Sequence, residues 1–138
     1  MEQEVFIKAE KEIVYEALTV NIGNWWQYRV GKKEAKMRME PKLGGLFTEE
    51  WNDGGGAVWG TITYIKGNEE IRLNGMLGMK GAVNSAYTFA LEEQDGGTLL
   101  KLSHHAVGLL TEEWEQSHRE GWQELLGKFL KDYVEKDH

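Results

Sequence analysis

The last quarter of the chain carries the pattern that most restricts its fold. Trp114, His118, Trp122, Leu125, Phe129 and Tyr133 recur at helical spacing, and Leu126 and Leu130 widen the stripe. Thr111 stands where an N-cap belongs, and Glu112 and Glu113 suit the positive end of a helix dipole. The spacing therefore predicts a helix from about 111 to 136, roughly 39 Å long at 1.5 Å per residue. A short helix or a lone hairpin cannot bury a stripe of that length. A broad sheet can.

The upstream sequence reads as the parts of such a sheet. Val5-Phe6-Ile7 forms a short strand, and Ile13, Val14, Ala17 and Leu18 place a helix over about 10 to 19. A short second helix is expected to carry Trp25 and Trp26. From about residue 33, extended runs alternate with glycine turns, giving strands over about 36–39, 46–51, 58–65, 71–79, 84–92 and 99–107. Tight turns between consecutive strands imply an antiparallel meander. The expected fold class is α+β, a curved antiparallel sheet of about seven strands wrapped around one long C-terminal helix. At 138 residues the chain fits a single domain spanning 1–138.

Charge narrows the partners. With 16 basic and 23 acidic residues the net charge is −7, and no basic run offsets it, so the sequence argues against nucleic acid. The absence of cysteine excludes disulfides, thiolate chemistry and cysteine-ligated metals. No apolar run approaches the ~20 residues of a membrane span. The acidic start Met1-Glu2-Gln3-Glu4 has no signal-peptide pattern, and a cytoplasmic location is the expectation.

The order of strand, short helices, six strands and long helix resembles the START and birch-allergen-type helix-grip superfamily. Within it the chain resembles the family named for the activator of the heat-shock chaperone ATPase. The residues that carry the resemblance are Ile13-Val14-Tyr15-Glu16-Ala17-Leu18 leading to Trp25-Trp26, Gly44-Gly45, and the run from Gly97 through Leu99, Leu100 and Leu102 to His104. Gly121-Trp122 follows, with Leu125, Leu126, Phe129 and Leu130. The resemblance implies a cavity between sheet and helix. It does not by itself assign an activity, because the superfamily includes lipid binders, hormone receptors, aromatase/cyclases and chaperone activators.

Strand alternation sorts the candidates for that cavity. Leu100, Leu102, His104 and Ala106 share the apolar face of the last strand, so His104 is expected to point inward and His105 outward. The same test turns Tyr87, Phe89 and Leu91 inward, along with Phe47, Glu49 and Trp51, and Ile62 with Tyr64. His104 could orient a ligand or move a proton, and His118 on the helix could meet it across the cavity; each could equally satisfy a neighbouring polar group. Glu49, between Phe47 and Trp51, reads as a desolvated carboxylate with a raised pKa, or as a rim residue, or as the partner of Arg72 or Lys36. The candidate ligand site is Trp26, Phe47, Glu49, Trp51, Tyr64, Tyr87, His104, Trp114, His118 and Trp122.

No nucleophile–base pair, zinc set or phosphate loop is present, so no catalytic residue, cofactor or metal is assigned. Ser103 and His104 are strand neighbours that face apart, and the period-three glycines Gly75, Gly78 and Gly81 read as a mobile strand end at the cavity mouth. Three readings follow, the first better supported than the other two, which stand level. The first is a binder of a small apolar or aromatic molecule or lipid. The second is a cyclase- or hydrolase-like enzyme using the same cavity. The third is an interaction module with a chaperone or other protein partner.

Overall fold

In the computed structural model, residues 1–31, 34–77 and 83–137 are described. Strand β1 (Glu2–Ile7) leads into α1 (Lys11–Leu18) and a 3-10 turn at Ile22–Asn24. Six strands follow: β2 (Lys36–Met39), β3 (Leu46–Glu50), β4 (Gly56–Lys66), β5 (Glu70–Gly75), β6 (Val83–Gln94) and β7 (Gly97–Gly108). They form one antiparallel sheet in the order β1-β7-β6-β5-β4-β3-β2, so the first strand returns beside the last. The C-terminal helix runs as α2 (Trp114–Glu124), a π-helical turn (Leu125–Leu130) and α3 (Lys131–Asp137). The expected helix-grip architecture is present.

Four local expectations change. Trp25 and Trp26 follow the 3-10 turn rather than sitting on a helix of their own. The C-terminal helix begins at Trp114, not 111. Thr111 receives the Trp114 N–H on its carbonyl at 3.2 Å, inside the lead-in turn, and the N-cap position falls to Glu113. Strand β5 ends at Gly75, and the glycine-rich segment expected to continue it, residues 78–82, lies outside the described residues.

The helix's buried row also differs from the predicted stripe. Trp122, Leu126, Leu130 and Val134 are buried, whereas Phe129 and Tyr133 are only partly so. Residues four apart overrun the about 3.6 residues of an α-turn, so such a row drifts around an ideal helix. A π turn closes each hydrogen bond over one more residue and takes that drift back. The turn at Leu125–Leu130 thus keeps the row facing the sheet.

Strand β4 carries two bulges. Phe47 pairs with Gly60 while Thr48 pairs with Val58, which leaves Trp59 as an extra residue. Ile62 pairs with Leu73 while Tyr64 pairs with Arg72, which leaves Thr63 as another. Each bulge inverts the in–out alternation beyond it. The first turns Trp59 into the core. The second turns Tyr64 outward, 38% exposed, with the Arg72 guanidinium 4.1 Å from its ring centroid.

The space beneath the helix is largely filled with rings. Trp26 packs edge-on against Phe47, Trp59 and Trp122 at centroid separations of 5.0, 5.7 and 5.9 Å. Trp122 meets Phe89 at 5.7 Å and Tyr87 at 6.1 Å. Separations of this size suit edge-to-face attraction. The helix is tied along its β1 side. Gln3 Nε2 donates to the Arg119 carbonyl at 2.7 Å, Lys131 Nζ to the Phe6 carbonyl at 2.6 Å, and the Lys8 N–H to Glu135 at 2.8 Å.

Candidate functional site

Two buried polar groups hold the aromatic walls in place. Glu49 is fully buried on β3 and accepts four hydrogen bonds. The Val30 N–H reaches Oε1 at 2.6 Å and the Gly31 N–H reaches Oε2 at 2.7 Å. The Trp51 indole N–H donates to Oε2 at 2.7 Å, and that of Trp59 donates to Oε1 at 3.1 Å. Burial alone pushes this carboxyl's pKa up. The bonds from Trp51, Val30, Gly31 and Trp59 outweigh it, and the pKa lies below the ordinary value. The expected rise is therefore corrected: a carboxylate inside a ring of four donors is favoured in its charged form. Glu49 is neither a rim residue nor the partner of Arg72 or Lys36.

His104 is also fully buried. The Trp122 indole N–H can only donate, and it reaches Nδ1 at 2.9 Å, so Nδ1 accepts and the ring proton sits on Nε2. Nε2 then donates to Ser85 Oγ at 2.9 Å. Burial first, then the charges of His118, the N-terminal ammonium and His105, push the His104 pKa down to about 4. The His104 and His118 rings do meet, with centroids 5.3 Å apart. No polar link joins them: His118 Nδ1 donates to the Trp114 carbonyl at 3.0 Å, and its ring stacks on Trp114. Both histidines satisfy neighbours.

Between sheet and helix a cleft of about 180 Å³ remains open. Trp26, Trp59, Trp122, Leu77 and Leu125 supply its apolar walls, with Tyr28, Ser117, His118 and Gly121 around them. The Tyr28 hydroxyl donates to the Glu124 carboxylate. Burial, then that bond and charge, push the Tyr28 pKa up to about 12. Leu77 sits at the rim with φ of 51°, a left-handed conformation uncommon for a bulky side chain, anchored by its N–H to the Trp59 carbonyl at 3.0 Å. Larger hollows lie elsewhere, one of about 420 Å³ beside Trp51 and Asp53 and one of about 690 Å³ on the outer face of β1, β6 and β7.

What sets the small cleft apart is its chemistry. Four of the six indoles have acceptors: Trp25 on the Ala17 carbonyl, Trp51 and Trp59 on Glu49, and Trp122 on His104. Among the described residues, the buried side-chain donors without a partner are the indole N–H groups of Trp26 and Trp114. Trp26 is 1% exposed and lies on the cleft wall. An orphaned buried donor costs about 1–3 kcal/mol, so structures rarely keep one without cause.

Residues 8–135 match the model of the family described as Activator of Hsp90 ATPase homolog 1-like protein. The chain belongs to this family. Among solved structures, the Aha1 dimer from Colwellia psychrerythraea is 22% identical with a TM-score of 0.65, over 98% of this chain and 95% of that one. CalU16 from Micromonospora echinospora is 24% identical with a TM-score of 0.69, over 99% and 73%. A conserved protein of unknown function from Enterococcus faecalis, EF2215, is 19% identical with a TM-score of 0.70, over 99% and 71%. These likenesses describe the fold. No curated protein matches the sequence.

On this Activator of Hsp90 ATPase homolog 1-like scaffold the ten sequence candidates separate. Trp26, His118 and Trp122 line the cleft. Phe47, Glu49, Tyr87 and His104 stand behind it as support, with the Tyr87 hydroxyl donating to the Trp59 carbonyl at 2.9 Å. Trp114 backs His118, Trp51 lies beside the other hollow, and Tyr64 faces outward. Sequence reasoning missed Trp59, Tyr28, Leu77 and Gly121. Gly60, directly after Trp59, was the available signal for the first, since glycine inside a strand marks a bulge.

Proposed function

We propose that this protein binds a small, largely apolar molecule, about one aromatic ring in size, in the cleft between sheet and C-terminal helix. The observation that carries the reading is Trp26, which lines the cleft and whose buried indole N–H has no acceptor among the described residues. A bound molecule can supply that acceptor while its ring packs against Trp26, Trp59 and Trp122. The volume fits: cavities of about 150 Å³ hold benzene, whereas drug-sized ligands need about 300 Å³ or more. Binding is favoured over acid–base catalysis because Glu49 and both nitrogens of His104 are already hydrogen-bonded.

The test is a two-dimensional amide NMR titration with benzene, toluene and phenol. Shifts are expected around Trp26, Trp122 and Leu125. Gly121→Leu should remove them without unfolding the protein, because a Cβ at Gly121 meets nothing closer than Tyr28 at 3.6 Å and a longer side chain enters the cleft. Absent shifts in the folded protein, or shifts that survive Gly121→Leu, would exclude this site.

A second reading, docking of a protein partner, is supported by Val107, Leu109 and Leu110. These are 69, 79 and 39% exposed within four residues at the end of β7. Sedimentation velocity tests self-association, and replacing all three by serine should abolish any that occurs.

A further inference from the structure

Two residues that line the cleft carry unclaimed polar groups of opposite character. Trp26 Nε1–H is a donor without an acceptor. His118 is its complement. Nδ1 donates to the Trp114 carbonyl at 3.0 Å, a group that can only accept, so in the neutral ring Nε2 is left with a lone pair. No hydrogen bond joins Nε2 to another described residue. Trp26, His118 and Trp122 all line the cleft, and the ring centroids of Trp26 and Trp122 are 5.9 Å apart.

Resting on the reading proposed above, we infer that the ligand is a neutral aromatic alcohol or phenol, whose hydroxyl accepts from Trp26 Nε1–H or donates to His118 Nε2. A hydroxyl is the smallest group able to answer either or both. An anionic ligand is disfavoured on three counts. No lysine or arginine is among the described lining residues. The Glu124 carboxylate is held on the hydroxyl of the lining residue Tyr28. The whole chain carries a net charge of −7. A cationic amine would leave the Trp26 donor unanswered, because an ammonium has no lone pair.

The experiment measures dissociation constants at pH 7 for toluene, anisole, phenol and benzoate, while following the Trp26 indole N–H resonance. Phenol is expected to bind roughly tenfold tighter than toluene, because its oxygen meets a donor already out of water. Anisole, which only accepts, should fall between them. Phenol and anisole should move the Trp26 indole resonance downfield, and toluene should not. His118→Phe, which keeps a ring to stack on Trp114, should bring the ratio of phenol to anisole affinity down to about one. Trp26→Phe should abolish the preference of both oxygen-bearing rings over toluene.

Equal affinity for toluene and phenol, with the Trp26 resonance still, would overturn this inference while leaving an apolar pocket intact. Benzoate as the tightest ligand would overturn the assignment of a neutral group. Absence of binding by all four compounds would remove the pocket reading itself.

Discussion

At the scale of single residues, stability depends on two buried titratable groups whose protonation states are fixed by their neighbours. His104 has its pKa lowered from 6.5 to about 4, so below pH 6.5 the unfolded chain takes up a proton that the folded ring refuses. Stability should be level above pH 6.5 and fall by roughly 3 kcal/mol between pH 6.5 and 4 on this account. Urea unfolding at pH 7 and 5 measures the first part of that loss. A histidine NMR titration should find His104 neutral down to about pH 5, and a midpoint near 6.5 would contradict the buried hydrogen-bond chain. Glu49 acts lower on the scale. Its folded pKa lies below the ordinary 4.5, so its contribution is complete above that value and disappears as pH falls through the folded one. Glu49→Gln replaces an acceptor-only group by one whose amide points N–H at other N–H groups, and should cost about 3 kcal/mol at pH 7. A loss below 1 kcal/mol in chemical denaturation would show that the four donors find water instead. The sequence placed both residues on the inner face correctly, by parity. It could not supply the sign of the Glu49 shift. Two of the donors are backbone amides of Val30 and Gly31, nineteen and eighteen residues away, and a third is Trp59, turned inward by a bulge.

At the scale of elements, the periodicities predicted type and order well and failed wherever a residue was inserted into the period. All seven strands and the C-terminal helix were legible, because alternating strands and a long helical stripe are repeated signals. The bulges of β4 and the π turn at Leu125–Leu130 each add one residue, so parity counted across them points the wrong way for Tyr64 and shifts the buried row from Phe129 and Tyr133 to Leu130 and Val134. Glycines at these irregularities make opposite predictions under one substitution. A Cβ at Gly60 would lie 2.3 Å from the Tyr87 hydroxyl oxygen, which is buried and bonded to the Trp59 carbonyl. Gly60→Ala should therefore destabilise by about 2 kcal/mol, and Tyr87→Phe by about 1 kcal/mol. The double variant should fall short of the sum, since both lose the same bond. A Cβ at Gly127, inside the π turn, meets nothing within 4 Å. Gly127→Ala should stabilise by about 0.5–1 kcal/mol through helix propensity and the lower entropy of the unfolded chain. Thermal denaturation of the two alanine variants compares them directly, and a shift of the same sign in both would defeat the packing argument.

At the scale of the whole molecule, the helix is fastened along one side and lightly latched along the other. Gln3, Lys8 and Phe6 of the β1 region hold Arg119, Glu135 and Lys131. Residues 24–28 reach the helix through two exposed hydrogen bonds, Asn24 Nδ2 to the Tyr133 hydroxyl at 3.0 Å and the Tyr28 hydroxyl to Glu124, and it is the second that borders the cleft. Opening the grip for a larger ligand should therefore tilt the helix about its β1 edge and break the latch first. The closed cleft of about 180 Å³ suits one ring, so a two-ring compound such as naphthalene should bind weakly to the native protein. Tyr28→Phe keeps the ring that walls the cleft and removes the latch. An exposed bond of this kind contributes about 1 kcal/mol or less to stability, so the variant should stay folded. With the free-energy cost of the open state reduced, two-ring ligands should gain several-fold in affinity while single rings change little. NMR titration of the native protein and of Tyr28→Phe with toluene and naphthalene measures the ratio. A parallel change for both compounds would mean that the cleft is rigid and that its present volume alone sets the size of what it accepts.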